Sequence, residues 1–217
     1  MEIVGNGDRP PTLFLLSPAS LTGLRAEQLA SPDARFPLAQ RFRSAEGAPI
    51  GEAFAFLSAL YFRGKIAYAR HFAAPPPGLP EGVFVITPGF GLVPPDWALT
   101  RERFGEIRKT PVDVRSHAYT RPLAAHARDL AGLLPAGARA VLLGSVATGK
   151  YVDVLLPILG ERLVFPLSFA GTGDMARGSR LLKAVESGEE LEYGTLDQPR
   201  HRSRERTGAD ERSEREG

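Results

Sequence analysis

ARAVLLGSVATGKYVDVLLPILG, residues 138–160, changes character at Gly144. Residues 138–145 form a short apolar run of the kind that makes a strand buried on both faces. Residues 148–160 read as a helix that Pro157 kinks or shortens. The join between them, Gly144-Ser145-Val146-Ala147-Thr148-Gly149-Lys150, satisfies the G-x-x-x-x-G-K pattern of a phosphate-binding loop. Tyr151 follows, where such loops carry the Ser or Thr that holds magnesium. The stretch therefore predicts a strand-turn-helix unit with an anion-binding turn and no magnesium site.

The same unit recurs in both directions along the chain. PTLFLLSPA (11–19) and VFVITPGFGLVPPD (83–96) are buried strands running into Ser, Pro and Gly turns, and RLVFPLSFAG (162–171) is a fourth. Pro166 argues for a bulge or an edge position in that fourth strand. Helical patterns fill 21–30, 36–44, 121–134 and 173–188, and residues 51–73 read as one long helix. LEYGTLD (191–197) suggests a last edge strand. Strands alternating with helices predict an α/β fold: a single three-layer domain over 1–198, with a mostly parallel sheet of four to five strands and helices on both faces. Residues 199–217 are charged and almost free of apolar side chains, which predicts a disordered C-terminal tail.

Bulk properties narrow the function classes. The net charge is +2, and the last seventeen residues hold five Arg and five acidic residues, so the rest of the chain also carries +2. Any basic surface is then a local patch. No apolar segment is long enough to span a bilayer, and the amino terminus MEIVGNGDRP lacks the apolar core of a secretion signal, so a soluble cytoplasmic protein without membrane contact is expected. The absence of cysteine excludes disulfides, thiolate catalysis and Cys-based metal sites. His71, His117, His126 and His201 have no metal-ligand spacing, so neither metal nor cofactor is implied.

In parallel sheets ligands bind beyond the carboxyl ends of the strands. Here those ends are 17–23, 87–96, 144–150 and 168–178. Gly144, Ser145, Thr148, Gly149 and Lys150 combine freed backbone N–H groups with one ammonium, a site for phosphate. Arg177, at the start of the next helix, adds a guanidinium suited to phosphate oxygens, and Asp174 is the expected N-cap there. Ser17, Pro88, Gly89, Phe90 and Ser168 shape the surrounding pocket. In the long helix, Arg63 and Lys65 stand two residues apart and cannot share a face, so at least one points away from the core. They read best as solvated charges beside Gly64, which favours close packing by a neighbouring backbone. Asp96 and Asp113 are loop carboxylates suited to turns, and no G-x-S-x-G nucleophile elbow occurs. No residue is assigned as catalytic.

Two resemblances accompany these residues. YFRGKIAYARHFA with VFVITPGFGLVPPD, and later PLSFAGTGDMARGSRLL, resemble the pattern of YaaA-like peroxide-stress proteins, which implies an α/β protein connected with DNA and oxidative stress. SPAS, FVITPGFGLVPP, LLGSVA and FPLSFAG, in that order, resemble the strand ends of the uracil-DNA glycosylase superfamily fold. Against that pattern, no carboxylate or amide follows the first strand, and Leu167-Ser168-Phe169 stands where His-Pro-Ser would. The expected function is binding of nucleic acid or a nucleotide-like ligand, in DNA damage or stress response. A divergent base-processing hydrolase and a structural or interaction domain without a ligand are the alternatives. The sequence leaves open the oligomeric state and whether a reaction is catalysed.

Overall fold

A computed structural model of the chain describes residues 9–195. The first apolar run becomes β1 (Thr12–Leu16), and α1 (Leu24–Ala30), α2 (Pro37–Arg43), the two-residue β2 (Ala48–Pro49), α3 (Ile50–Ser58) and α4 (Leu60–Phe72) follow. Next come β3 (Val83–Thr87), β4 (Gly91–Val93), β5 (Ala98–Leu99), α5 (Arg101–Lys109) and α6 (His117–Leu133). The last part holds β6 (Arg139–Leu143), α7 (Val152–Leu159), β7 (Leu163–Pro166), α8 (Asp174–Ser187) and β8 (Tyr193–Gly194). The expected tail at 199–217 lies outside the described residues.

The main sheet has the order β4-β3-β1-β6-β7-β8, with four parallel strands at its centre and antiparallel β4 and β8 at its edges. Its four central strands are mostly apolar because both faces are covered. Phe14 and Leu16 of β1 pack into one core with α1 to α5 and α8, while Leu13 and Leu15 pack into the other with α6 and α7. Alternation of side chains across the strand sends successive residues to opposite layers. The fold is thus the expected three-layer α/β arrangement.

Besides α5 and the two-stranded β2–β5 sheet, neither of which was expected, three local features differ from expectation. The main sheet has six strands where four or five were expected, because β4 lies inside the Pro/Gly loop after β3 and pairs back on it. Gly89 (φ 86°) and Gly91 (φ 75°) make that tight return possible. The segment 51–73 is two helices: Ala59 (φ 46°, ψ −114°) ends α3 and starts α4. β7 is interior, between β6 and β8, and Pro166 is its last residue, opposite Tyr193, where the missing N–H costs the ladder little.

α4 and α8 meet through glycines. A Cβ at Gly64 would come within 2.8 Å of the Gly178 carbonyl oxygen, and one at Gly178 within 2.9 Å of the Leu60 oxygen and the Tyr61 Cα. These are backbone neighbours, which cannot rotate out of the way. Gly178→Ala should therefore destabilise the protein by about 1–3 kcal/mol, even though Ala favours helix. Gly105→Ala, inside α5 with nothing within 4 Å of its Cβ, should stabilise it by about 0.5–1 kcal/mol. Chemical denaturation of both variants checks the pair, and equal effects of one sign would refute this account of the helix contact.

Candidate functional site

β1 is the first central strand, and the chain leaves it toward the α1–α4 layer, whereas it leaves the neighbouring β6 toward α7 on the opposite face. In open parallel sheets, the carboxyl edge between adjacent loops that part in this way is where ligands bind. Ser17, directly after β1, lies there and extends the ladder by donating its N–H to the Leu143 oxygen at 3.1 Å. Gly144, directly after β6, faces it so closely that a Cβ would stand 2.9 Å from the Ser17 Cβ and 3.3 Å from its Oγ.

The residue that reaches Ser17 is Lys65, which is buried and not the solvated charge expected beside Gly64. Its side chain is buried, with 1% of the residue exposed, while Arg63 is the exposed member of the pair. Lys65 Nζ lies 2.6 Å from the Ser17 carbonyl oxygen and 2.9 Å from Ser17 Oγ. The rings of Tyr61 and Phe62 enclose it, their centroids 4.4 and 4.8 Å from Nζ. Tyr61, Lys65 and Tyr68 are buried on one stripe of α4, at spacings of four and three residues that bring side chains to one helix face. Burial pushes the Lys65 ammonium down to about 7; Asp174 opposes that shift and Arg177 adds to it.

Two buried tyrosines flank this pair. Tyr151, at the eighth position of the glycine turn, points inward; burial pushes its hydroxyl up to about 12, with nearby Tyr61 adding to the shift and the Ser17 side chain opposing it. The Tyr61 hydroxyl is pushed up to about 12 by burial, opposed by Arg177. Both therefore remain protonated donors at neutral pH. Tyr61 Oη is buried without a hydrogen-bond partner.

The start of α8 completes the cluster. Gly173, rather than Asp174, is the N-cap, and Asp174 is the first helical residue, 70% exposed at its side chain. Arg177, only 15% exposed, donates through Nη2 to the Phe169 oxygen at 3.1 Å and lies 3.5 Å from Asp174 Oδ1. Its guanidinium carbon stands 5.5 Å from the Phe169 ring centroid, and that ring meets Tyr61 edge-on at 6.3 Å. Arg177 Nε and Ser168 Oγ are buried and unpartnered. Ser168 offers its carbonyl oxygen to Arg180 and to the Thr172 hydroxyl, the latter at 3.3 Å.

The fold thus links Ser17, Gly144, Asp174, Arg177 and the Ser168–Phe169 turn through Tyr61, Lys65 and Tyr151, three residues absent from the sequence-based site. Other expected members lie apart. Ser145 is half-buried and Thr148 exposed on the β6–α7 turn, and Gly149 (φ 72°) has the Asp153 carboxylate against it, 2.6 Å from where a Cβ would be. Lys150 sets its ammonium 5.8 Å from the Tyr151 ring centroid, and its carbonyl oxygen accepts from the Tyr119 hydroxyl at 2.9 Å. Pro88 is buried, whereas Gly89 and Phe90 line a separate open groove of about 570 Å³ with Glu106, Thr110, His117 and Arg121. Phe90 also packs on Trp97, with centroids 5.1 Å apart. Among the described residues no helix is long and apolar enough to cross a membrane. Comparison with protein-family models, curated proteins and solved structures finds no match.

The buried lysine gives stability a pH dependence of known sign. An unfolded Lys keeps its proton up to its ordinary 10.5, whereas folded Lys65 releases it from about 7, so the unfolded chain binds more protons between these values. Stability from this group therefore rises with pH across that window. Lys65→Met removes the rise, so the unfolding free energy of the natural protein minus that of the variant should increase between pH 6.5 and 9.5. Urea titrations at several pH values measure it, and a constant difference would show that Lys65 is not held in the way described.

Proposed function

We propose that the protein binds a phosphate-bearing ligand, a nucleic acid or a nucleotide-like molecule, at the carboxyl edge of its sheet, centred on Arg177 at the amino end of α8. The observation that carries this reading is that, of the four buried side-chain polar atoms without partners among the described residues, three gather here, Tyr61 Oη, Ser168 Oγ and Arg177 Nε, the fourth being Arg139 Nε at the start of β6. A buried donor left unsatisfied costs about 1–3 kcal/mol, and a ligand that brings acceptor oxygens and negative charge recovers it. Lys150, on the turn after neighbouring β6, adds a second cation to the same edge of the sheet.

Asp153 and Asp174 set the limits of the site. A carboxylate beside Gly149 disfavours phosphate at the centre of the glycine turn, so the contact with that turn runs through the Lys150 ammonium. Asp174 must release Arg177 in part, and at 3.5 Å on an exposed carboxylate their pairing is weak enough to yield. The resemblance to YaaA-like proteins agrees with a nucleic-acid ligand and with a role in DNA damage or oxidative stress.

Titration of a fluorescent 20-nucleotide DNA, single- and double-stranded, tests the proposal. Affinity should fall steeply as salt rises. Arg177→Ala and Lys150→Ala should each weaken binding across unrelated sequences and reduce the salt slope by about one. Absent or salt-insensitive binding would remove the nucleic-acid reading.

A further inference from the structure

The Ser17–Lys65 contact has the form of a nucleophile and its base, and we infer that the two act as a hydrolytic pair on an acyl ester bearing a negatively charged group. As an ammonium Lys65 donates to both the Ser17 carbonyl oxygen at 2.6 Å and Ser17 Oγ at 2.9 Å; as a neutral amine it keeps the bond to the carbonyl oxygen and can turn its lone pair to the Ser17 hydroxyl across the same 2.9 Å. The hydroxyl then donates its proton to Nζ, the arrangement a general base requires. Gly144 presents no side chain to Ser17 Oγ, whereas any other residue would place a Cβ 3.3 Å from it. The Tyr61 ring packs on Nζ, 4.4 Å from its centroid, and shields the amine from water.

Lys65 is in the right protonation state for the task. The groups facing it are Tyr61 on its own helix, Asp174 and Arg177 from α8, and Ser17 after β1, and burial among them brings the ammonium down to about 7. Near neutral pH a large share of the amine is free.

The reaction balances with water alone. Lys65 Nζ takes the Ser17 proton as Oγ bonds the acyl carbon, and the carbonyl electron pair moves onto oxygen. Collapse of this adduct breaks the bond to the leaving alkoxide, which takes the proton back from the Lys65 ammonium. Water then gives a proton to Lys65 as it attacks the acyl-Ser17 ester, and Ser17 leaves with that proton, so ester and water yield acid and alcohol. The preference for an anionic ester rests on the Arg177 reading; the acyl chemistry does not.

A fluorophosphonate probe examines the pair without needing the anion site. Ser17 Oγ should bond phosphorus and expel fluoride, giving an adduct that peptide mass mapping places on Ser17 and not on exposed Ser20. The labelling rate should rise with pH through about 7 and level off above it, following release of the Lys65 proton. Lys65→Met, whose fold is checked by circular dichroism, should label at least about 100-fold more slowly, the usual loss when a general base is removed. No Ser17 adduct on the folded natural protein between pH 6 and 9, or equal labelling of Lys65→Met, would overturn the inference. Labelling that persists while DNA binding fails would separate this pair from the phosphate reading.

Discussion

The approach of α4 to α8 over Gly64 and Gly178 is the constraint on which the carboxyl edge depends. Two helices that touch through backbone rather than side chains come unusually close, and whatever flanks the glycines is pressed into the same space. On α4 the flanking residues are Tyr61 and Lys65; on α8 the neighbour is Arg177. A bulkier residue at either glycine would spread the helices and draw Lys65 away from Ser17. The glycines therefore act at a distance, by setting where the Lys65 side chain, five bonds from Cα to Nζ, can reach.

That placement is costly, and the manner in which the protein accommodates it is informative. Removing an ammonium from water costs several kcal/mol even after relaxation. Here the cost is met in part by two hydrogen-bond partners on Ser17 and by the faces of two aromatic rings, and in part by release of the proton near neutrality. A purely structural role would be filled as well by Met, which packs the same volume without desolvation. Three further buried polar atoms without partners lie around the same Phe169 ring and helix start, so the polarity is not confined to one residue. Polar groups concentrated in this way at a strand end, where the topology of the sheet switches, favour a ligand over a packing explanation.

The centre of the fold was legible because its signal is long. β1, β3, β6 and β7 are continuous apolar runs closed by Gly, Pro or Ser, and both cores follow from their alternation. What escaped is short or imposed from outside. β4 has three residues and β2 and β5 two each, too few for any period to be read. The break at Ala59 has no local marker, since Ala favours helix and its positive φ is set by how α3 and α4 dock. The site was half legible: strand-end loops pointed to Ser17, Gly144, Ser168 and Arg177. Lys65 was missed because the two-residue spacing of Arg63 and Lys65 says that one faces outward without saying which. The Tyr61, Lys65, Tyr68 spacing contains the answer, for it sets the lysine on the stripe its aromatic neighbours bury.

Tyr151 explains why the glycine turn spells like a phosphate loop without being built as one. In a magnesium-dependent loop the residue after Lys directs a small hydroxyl toward bound metal. Here a tyrosine turns under the turn instead, filling the core with Val152 and Leu155. Tyr119 ties down the Lys150 carbonyl from below, which keeps the lysine's backbone fixed while its ammonium stays at the edge. The turn thus supplies one lysine at the edge of the sheet and one phenol to the core, and a buried tyrosine in the place of a small hydroxyl residue is what separates it from a magnesium-holding loop.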